Sequence, residues 1–291
     1  MENLSRARKQ YADLVCQTAQ LRSERWRKAL SEIPREEFVG PGPWKTMRFV
    51  FPLKYEDTPD ADPVHVYDDV MVALDPERQL NNGLPSALAR WIDATDIEEG
   101  DRVVHAGCGT GYFTALIAHI VGRNGRVIAI EFDAELADRA RANLQHFSQV
   151  EVVSGDATTY DPGPADAIFI NAGATHPCGL WLDTLKPSGR LVFPLVRWPE
   201  GSKLGVGAAG WGVLVRVQRL RRGYAARWIA PAASSRVLAR SIPRPIGGWA
   251  MRSPITGSQR CVRCAGRLTI LMNHACCMAS DTAFPKARSC E

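Results

Sequence analysis

Three alternating glycines, Gly107, Gly109 and Gly111, interrupt an apolar stretch of the chain, and a carboxylate, Glu131, closes the next apolar run. Glycines at a turn let the backbone come close to a ligand. An acid at the tip of the following strand accepts hydrogen bonds from ribose hydroxyls. Together they imply a nucleoside cofactor. The spacing is Gly-x-Gly-x-Gly and not the Gly-x-Gly-x-x-Gly of dinucleotide enzymes, which clears room for a pyrophosphate at a helix N-terminus. S-adenosylmethionine (AdoMet) has no phosphate, and its sulfonium and amino-acid end need only a close, polar turn. AdoMet is therefore the expected cofactor, with His105, Gly107, Gly109, Gly111, Tyr112 and Glu131 around it and no metal. Glu131 could also be a solvated strand end, and the glycines a plain tight turn.

The elements that must hold these residues follow from hydrophobic period. Apolar runs at 102–106, 126–131, 150–153, 166–171 and 189–195 read as strands, and helical patterns lie near 112–121, 134–145 and 178–185. Such alternation argues an α/β fold: a mostly parallel sheet with helices on both faces. Ligands in such sheets sit at the carboxyl ends of the strands, near the order reversal. Two further strand ends, Gly155-Asp156-Ala157 and Asn171-Ala172-Gly173, meet there. Asp156 is placed to accept from an adenine amino group or, more blandly, to cap its turn. The glycine spacing and Asp156 disfavour a nicotinamide dehydrogenase. Upstream, 4–31 reads as one helix ended by Pro34. Residues 40–75 read as irregular apart from a short strand at 70–74. Asn81-Asn82-Gly83 is a turn, with Pro85 opening a helix through Trp91. The last strands expected are 212–217 and 223–229.

Composition narrows the function classes. Apolar content of 45% and charged content of 23% are those of a globular domain, and no apolar run reaches membrane length. The start of the chain lacks the pattern of a signal peptide, so the cytoplasm is the expected compartment. The net charge of +5 resides in residues 231–291, which carry nine Lys/Arg against two acids and leave 27 basic and 29 acidic side chains in the rest. A nucleic-acid partner would rest on that tail alone, and none is expected.

Ile33-Pro34-Arg35-Glu36-Glu37-Phe38-Val39, the glycine turn, Glu131, Gly155-Asp156-Ala157 and Leu185-Lys186-Pro187-Ser188-Gly189-Arg190-Leu191-Val192-Phe193-Pro194 resemble the protein-L-isoaspartate O-methyltransferase family. The resemblance covers most of 4–230. It implies a class I AdoMet-dependent methyltransferase with a seven-stranded, Rossmann-like sheet whose antiparallel edge comes from the two strands after 210. It implies carboxyl methylation of L-isoaspartyl residues in damaged proteins, with a protein or peptide as substrate; a monomer is expected. An ionised carboxylate needs no general base, only donors that hold it in line. Asn81, Asn82, the amide of Gly83 and Tyr67 are the candidates, with His176 a weaker one. Two positions depart from the family. His105 stands where an acid is usual, and Gly83 where a serine supports the substrate. The departures leave open another peptide or small-molecule acceptor, or AdoMet binding without turnover. Cys108 reads as a small residue that fits its turn.

Three segments are expected: a helical and irregular substrate-side extension over 1–77, the AdoMet-binding core over 78–231, and an aberrant, poorly ordered tail over 232–291. In the tail, Cys261, Cys264, His274, Cys276 and Cys277 would suggest zinc. The segment lacks apolar period and is poor in acids, however, and reads better as the product of a shifted reading frame.

Overall fold

In the computed structural model of the chain, residues 2–50, 53–78, 80–197 and 209–235 are described. The tail from 236 onward, with its cysteines, lies outside the described residues.

The N-terminal segment is two helices, α1 (Glu2–Ala19) and α2 (Glu24–Glu32), where one was expected. The break is a C-cap built without glycine. Gln20 takes φ 58°, its amide donates to the Gln17 carbonyl at 3.2 Å, and the Leu21 amide donates to Cys16 at 2.9 Å. That double closure satisfies carbonyls a helix end leaves bare. Pro34 then stops α2, and Arg35–Phe38 forms a short 3-10 turn.

Residues 45–57, expected to be irregular, join the strand expected at 70–74 in a small antiparallel sheet that reaches into the expected turn at Asn81. Its strands are β1 (Lys45–Met47), β2 (Glu56–Asp57), β3 (Met71–Asp75) and β4 (Leu80–Asn81), in the order β2-β1-β3-β4. β1 and β2 are too short for alternation to reveal them.

The core follows: α3 (Pro85–Asp93), β5 (Arg102–Ala106), α4 (Tyr112–Val121), β6 (Arg126–Glu131), α5 (Ala134–Asn143), β7 (Val150–Ser154), β8 (Ala165–Ile170), α6 (Gly179–Thr184), β9 (Leu185–Arg197), β10 (Ala209–Arg219) and β11 (Tyr224–Ser235). The large sheet has seven strands in the order β11-β10-β9-β8-β5-β6-β7. β5 to β9 are parallel, and β10 and β11 form the antiparallel edge as expected. β11 pairs on through Ala232 to Ser235, past the point where apolar alternation fades at Pro231.

From β5 the chain steps outward to β6 and β7, then returns to β8 on the other side. The order reverses between β5 and β8, so the ligand crevice is expected at their carboxyl ends. β5 and β6 are buried along almost their whole length. α4 is buried on all sides but one, which explains its composition. Ile, Val, Thr and Tyr are mediocre helix formers. Each fully buried Leu, Ile or Phe contributes roughly 1.5–3 kcal/mol, enough to outweigh those propensities. No helix among the described residues is long and apolar enough to cross a membrane.

Candidate active site

Hydrogen bonds join four strand ends at the reversal. The Gly107 and Cys108 amides both donate to the Ile130 carbonyl, at 2.8 and 3.3 Å. The Gly155 amide donates to the Glu131 carbonyl at 2.8 Å, and the Asn171 amide to Ala106 at 2.8 Å. The Asn171 side chain adds a bond to the Gly107 carbonyl at 3.3 Å. The glycine turn, Glu131, the 155–157 turn and Asn171 are thus one rim.

Glu131 is buried, yet its carboxylate is pinned at both oxygens. Gly109 N donates to Oε2 at 2.7 Å and Asp133 N to Oε1 at 3.1 Å. Burial pushes its carboxyl up, and the Asp133 and Gly109 amides hold part of that shift back. Each oxygen keeps lone pairs for vicinal hydroxyls.

The three glycines, with φ of 74°, 57° and 96°, serve different ends. A Cβ on Gly107 would lie 3.1 Å from the Asn171 carbonyl oxygen, and one on Gly111 would lie 2.7 Å from Leu144 Cδ1. A Cβ on Gly109 would meet nothing within 4 Å. Gly107 and Gly111 permit close packing, whereas Gly109 faces open space.

Asp156 does cap its turn: Oδ1 accepts from the amide and the hydroxyl of Thr158, both at 2.8 Å. Among the described residues its other oxygen takes no bond, so the cap leaves an acceptor free. The Ala157 carbonyl is taken by Trp181 Nε1 at 2.7 Å.

Two expected cofactor contacts turn inward. The Tyr112 side chain is 2% exposed, and its hydroxyl meets that of Tyr11 at 3.2 Å in the core. Only its main chain, at the start of α4, stays with the turn. His105 is fully buried, bonded through Nδ1 to Thr114 Oγ1 at 2.9 Å and stacked on Phe169. Burial pushes its imidazole down to about 3, so it is neutral. Its Nε2 is enclosed without a partner. Cys108 is buried as well, and burial followed by the Glu131 charge pushes its thiol up, so it is no nucleophile.

The acceptor-side candidates are held by Arg35, a residue the sequence singled out without a role. Arg35 is completely buried. Its guanidinium donates to the carbonyls of Val66 at 2.5 Å, Asp68 at 2.9 Å and Val70 at 2.6 Å, and reaches Asn82 Oδ1 at 3.5 Å. It also lies over the Tyr11 and Tyr112 rings. Tyr67 accepts from Arg8 Nε at 2.9 Å and the Arg35 amide at 3.0 Å, and donates to Glu36. Burial, with Glu36 next, pushes its phenol up. Asn82 Oδ1 also takes the Val72 amide at 2.8 Å, and its Nδ2 is enclosed without a partner. Asn81 Oδ1 takes the Gly83 amide at 2.9 Å. Asp69 caps α3 from a distance, through the Ser86 amide at 2.8 Å and hydroxyl at 2.6 Å. These polar groups hold the segment in shape, with Asn81, Gly83 and Leu84 partly exposed at the turn. His176 pairs with the neighbouring Thr175 hydroxyl.

Comparison with known proteins agrees with this geometry. Residues 9–203 match the family model for protein-L-isoaspartate(D-aspartate) O-methyltransferase. Protein-L-isoaspartate O-methyltransferase 2 of Archaeoglobus fulgidus is 40% identical, over 39% of this chain and 55% of its own length. The Thermotoga maritima enzyme is 30% identical, over 58% and 49%. The chain thus spans about half the length of these two relatives. It covers 84% of the Ignicoccus hospitalis enzyme, at 30% identity over 70% of this chain. A solved protein-L-isoaspartate O-methyltransferase superposes with TM-score 0.62 at 22% identity, covering 79% of this chain and 65% of that one. A Plasmodium falciparum chain assigned to the same activity, solved with S-adenosyl-L-homocysteine, gives 0.55 at 15%, covering 77% and 95%. The fold is the class I methyltransferase fold, and the chain belongs to the protein-L-isoaspartate(D-aspartate) O-methyltransferase family.

Proposed function

We propose that the chain is an AdoMet-dependent O-methyltransferase acting on the carboxylate of L-isoaspartyl residues in damaged proteins. One observation carries the reading: Glu131, pinned at both oxygens beside a glycine turn that is open at Gly109. The donor set fits AdoMet. Glu131 would take the ribose hydroxyls, the free oxygen of Asp156 the adenine amino group, and the 107–111 turn the methionine end. When bound, AdoMet supplies an electrophilic methyl on a sulfonium.

The chain's own part is to bind, orient and exclude water. Nothing need remove a proton from a carboxylate ionised at neutral pH. The 81–84 turn, stiffened by Arg35, Asn82 and Asp69, is the acceptor-side wall in this reading. The same reading carries a monomer in the cytoplasm, with a protein or peptide acceptor and no nucleic acid; the basic excess confined to 231–291 supports the last.

Incubation with tritiated AdoMet and an isoaspartyl peptide tests the proposal: base-labile methyl ester should form. AdoMet binding with no ester would reject this acceptor. A second reading, another peptide or small-molecule acceptor on the same core, is favoured by Gly83. A side chain there would need φ 79° and would stand 2.4 Å from Leu88 Cδ1, so the turn offers no hydroxyl.

A further inference from the structure

Arg78 lies between β3 and β4, two residues before the strand that leads into the 81–84 turn. Its amide donates to Asp75 Oδ1 at 3.1 Å, which fixes this connection locally. Its guanidinium crosses to the core and binds the carboxylate of Asp133. Asp133 in turn caps α5 through the Leu136 amide at 3.0 Å, while its own amide holds Glu131 Oε1 at 3.1 Å. A chain of direct contacts therefore runs from Arg78, three residues before the 81–84 turn, to the cofactor-side carboxylate.

We infer that Arg78 is a positioning residue: by gripping Asp133 it sets the distance between the 81–84 turn and Glu131, and so between acceptor and methyl donor. The inference rests on the AdoMet reading given above. Arg78 and Asp133 have side-chain exposures of 37% and 20%. A pair so exposed adds little to folding, so its loss should register in binding and turnover rather than in melting temperature.

The test uses the full chain with three variants, R78A, R78K and D133N. Asparagine caps a helix as well as aspartate does, so D133N removes the charge and keeps α5. Binding of S-adenosylhomocysteine is read by calorimetry, and methyl transfer to an isoaspartyl peptide by kinetics. In R78A, Kd should rise about threefold, as for a modest coupling between sites. Misplacement of the acceptor should lower kcat by on the order of a hundredfold. R78K should recover part of both losses, and R78A/D133N should be no worse than D133N alone. Wild-type Kd and kcat in R78A and D133N, or additive losses in the double variant, would overturn the inference. Should R78A fail to fold, D133N and R78K decide alone. If the wild-type chain binds no S-adenosylhomocysteine, the AdoMet reading falls and takes this inference with it, a result told apart by its appearance without any substitution.

Discussion

Gly109→Ala separates the glycine that serves the ligand from the two that serve packing. All three glycines have positive φ, so alanine anywhere in the turn carries the left-handed penalty of about 1–2 kcal/mol. At Gly109 nothing adds to that penalty, because the new methyl meets no atom within 4 Å. For a chain of this size each kcal/mol moves the melting point by about 2–4 °C, so G109A should melt about 2–8 °C below wild type and remain folded. The methyl would, however, enter the space proposed for the methionine end of AdoMet. Overfilling a close-packed contact costs about 1–3 kcal/mol, or about 5- to 150-fold in Kd. G111A is the contrast, since its Cβ would press on Leu144 Cδ1 at 2.7 Å. It should lose more stability than affinity. Calorimetry with S-adenosylhomocysteine beside thermal melts gives both quantities. G109A binding as tightly as wild type would refute the placement of the ligand against this turn.

Three other perturbations probe the supporting structure. Arg35→Ala strands the Val66, Asp68 and Val70 carbonyls; at about 1–3 kcal/mol for each unpaired group, urea unfolding should show a loss on the order of 5 kcal/mol, and a loss near zero would deny Arg35 its role as hub. His105, held neutral by burial with a folded value of about 3, binds fewer protons folded than unfolded. Stability should therefore fall as pH drops below about 6.5, by at most about 1.4 kcal/mol per unit, until the folded value is reached. His105→Leu should flatten that acid limb in a pH series of melts, and an unchanged slope would sink the assignment. Gly83→Ser restores the residue usual in the family but needs φ 79° and displaces Leu88; it should cost at least about 1–2 kcal/mol and leave isoaspartyl methylation no faster, whereas a stable, more active variant would mean the turn can change shape.

What could be read from the sequence depended on how local its cause was. The glycine turn, β5, β6 and α4 are dictated by neighbours in sequence: apolar runs, three positions demanding positive φ, and an acid where a strand ends. Those elements appear at the residues expected. The end of α1 was hidden because Gln20 occupies a left-handed cap position that glycine usually marks. β1 and β2 pair with Lys45 opposite Asp57 and Thr46 opposite Glu56, a tertiary arrangement with no periodic trace. Within the candidate site, Glu131 and Asp156 were legible from strand-end logic. Arg35 stood in a recognisable segment, but its targets, three carbonyls more than thirty positions away, leave no mark in the residues that carry them. The partner of Arg78 was invisible for the same reason.

The two departures from the family pattern have a common physical form. His105 replaces a charged group by a neutral one, and Thr114 and Phe169 close around it within the core. Gly83 replaces a hydroxyl by a backbone turn, and the side chain of Leu88 fills the space a Cβ would need. In each case packing has taken over where chemistry was expected, so neither position can be restored by exchanging one residue. In the proposed reading the donor side has two carboxylate acceptors, Glu131 and Asp156, while the acceptor-side turn carries no hydroxyl at Gly83. On that reading, changes in the acceptor peptide should alter methyl transfer and leave AdoMet affinity alone. Peptides varied at the acceptor, each assayed over a range of AdoMet concentrations, would expose that asymmetry as large changes in kcat/KM beside a constant donor affinity; covariation of the two would contradict it.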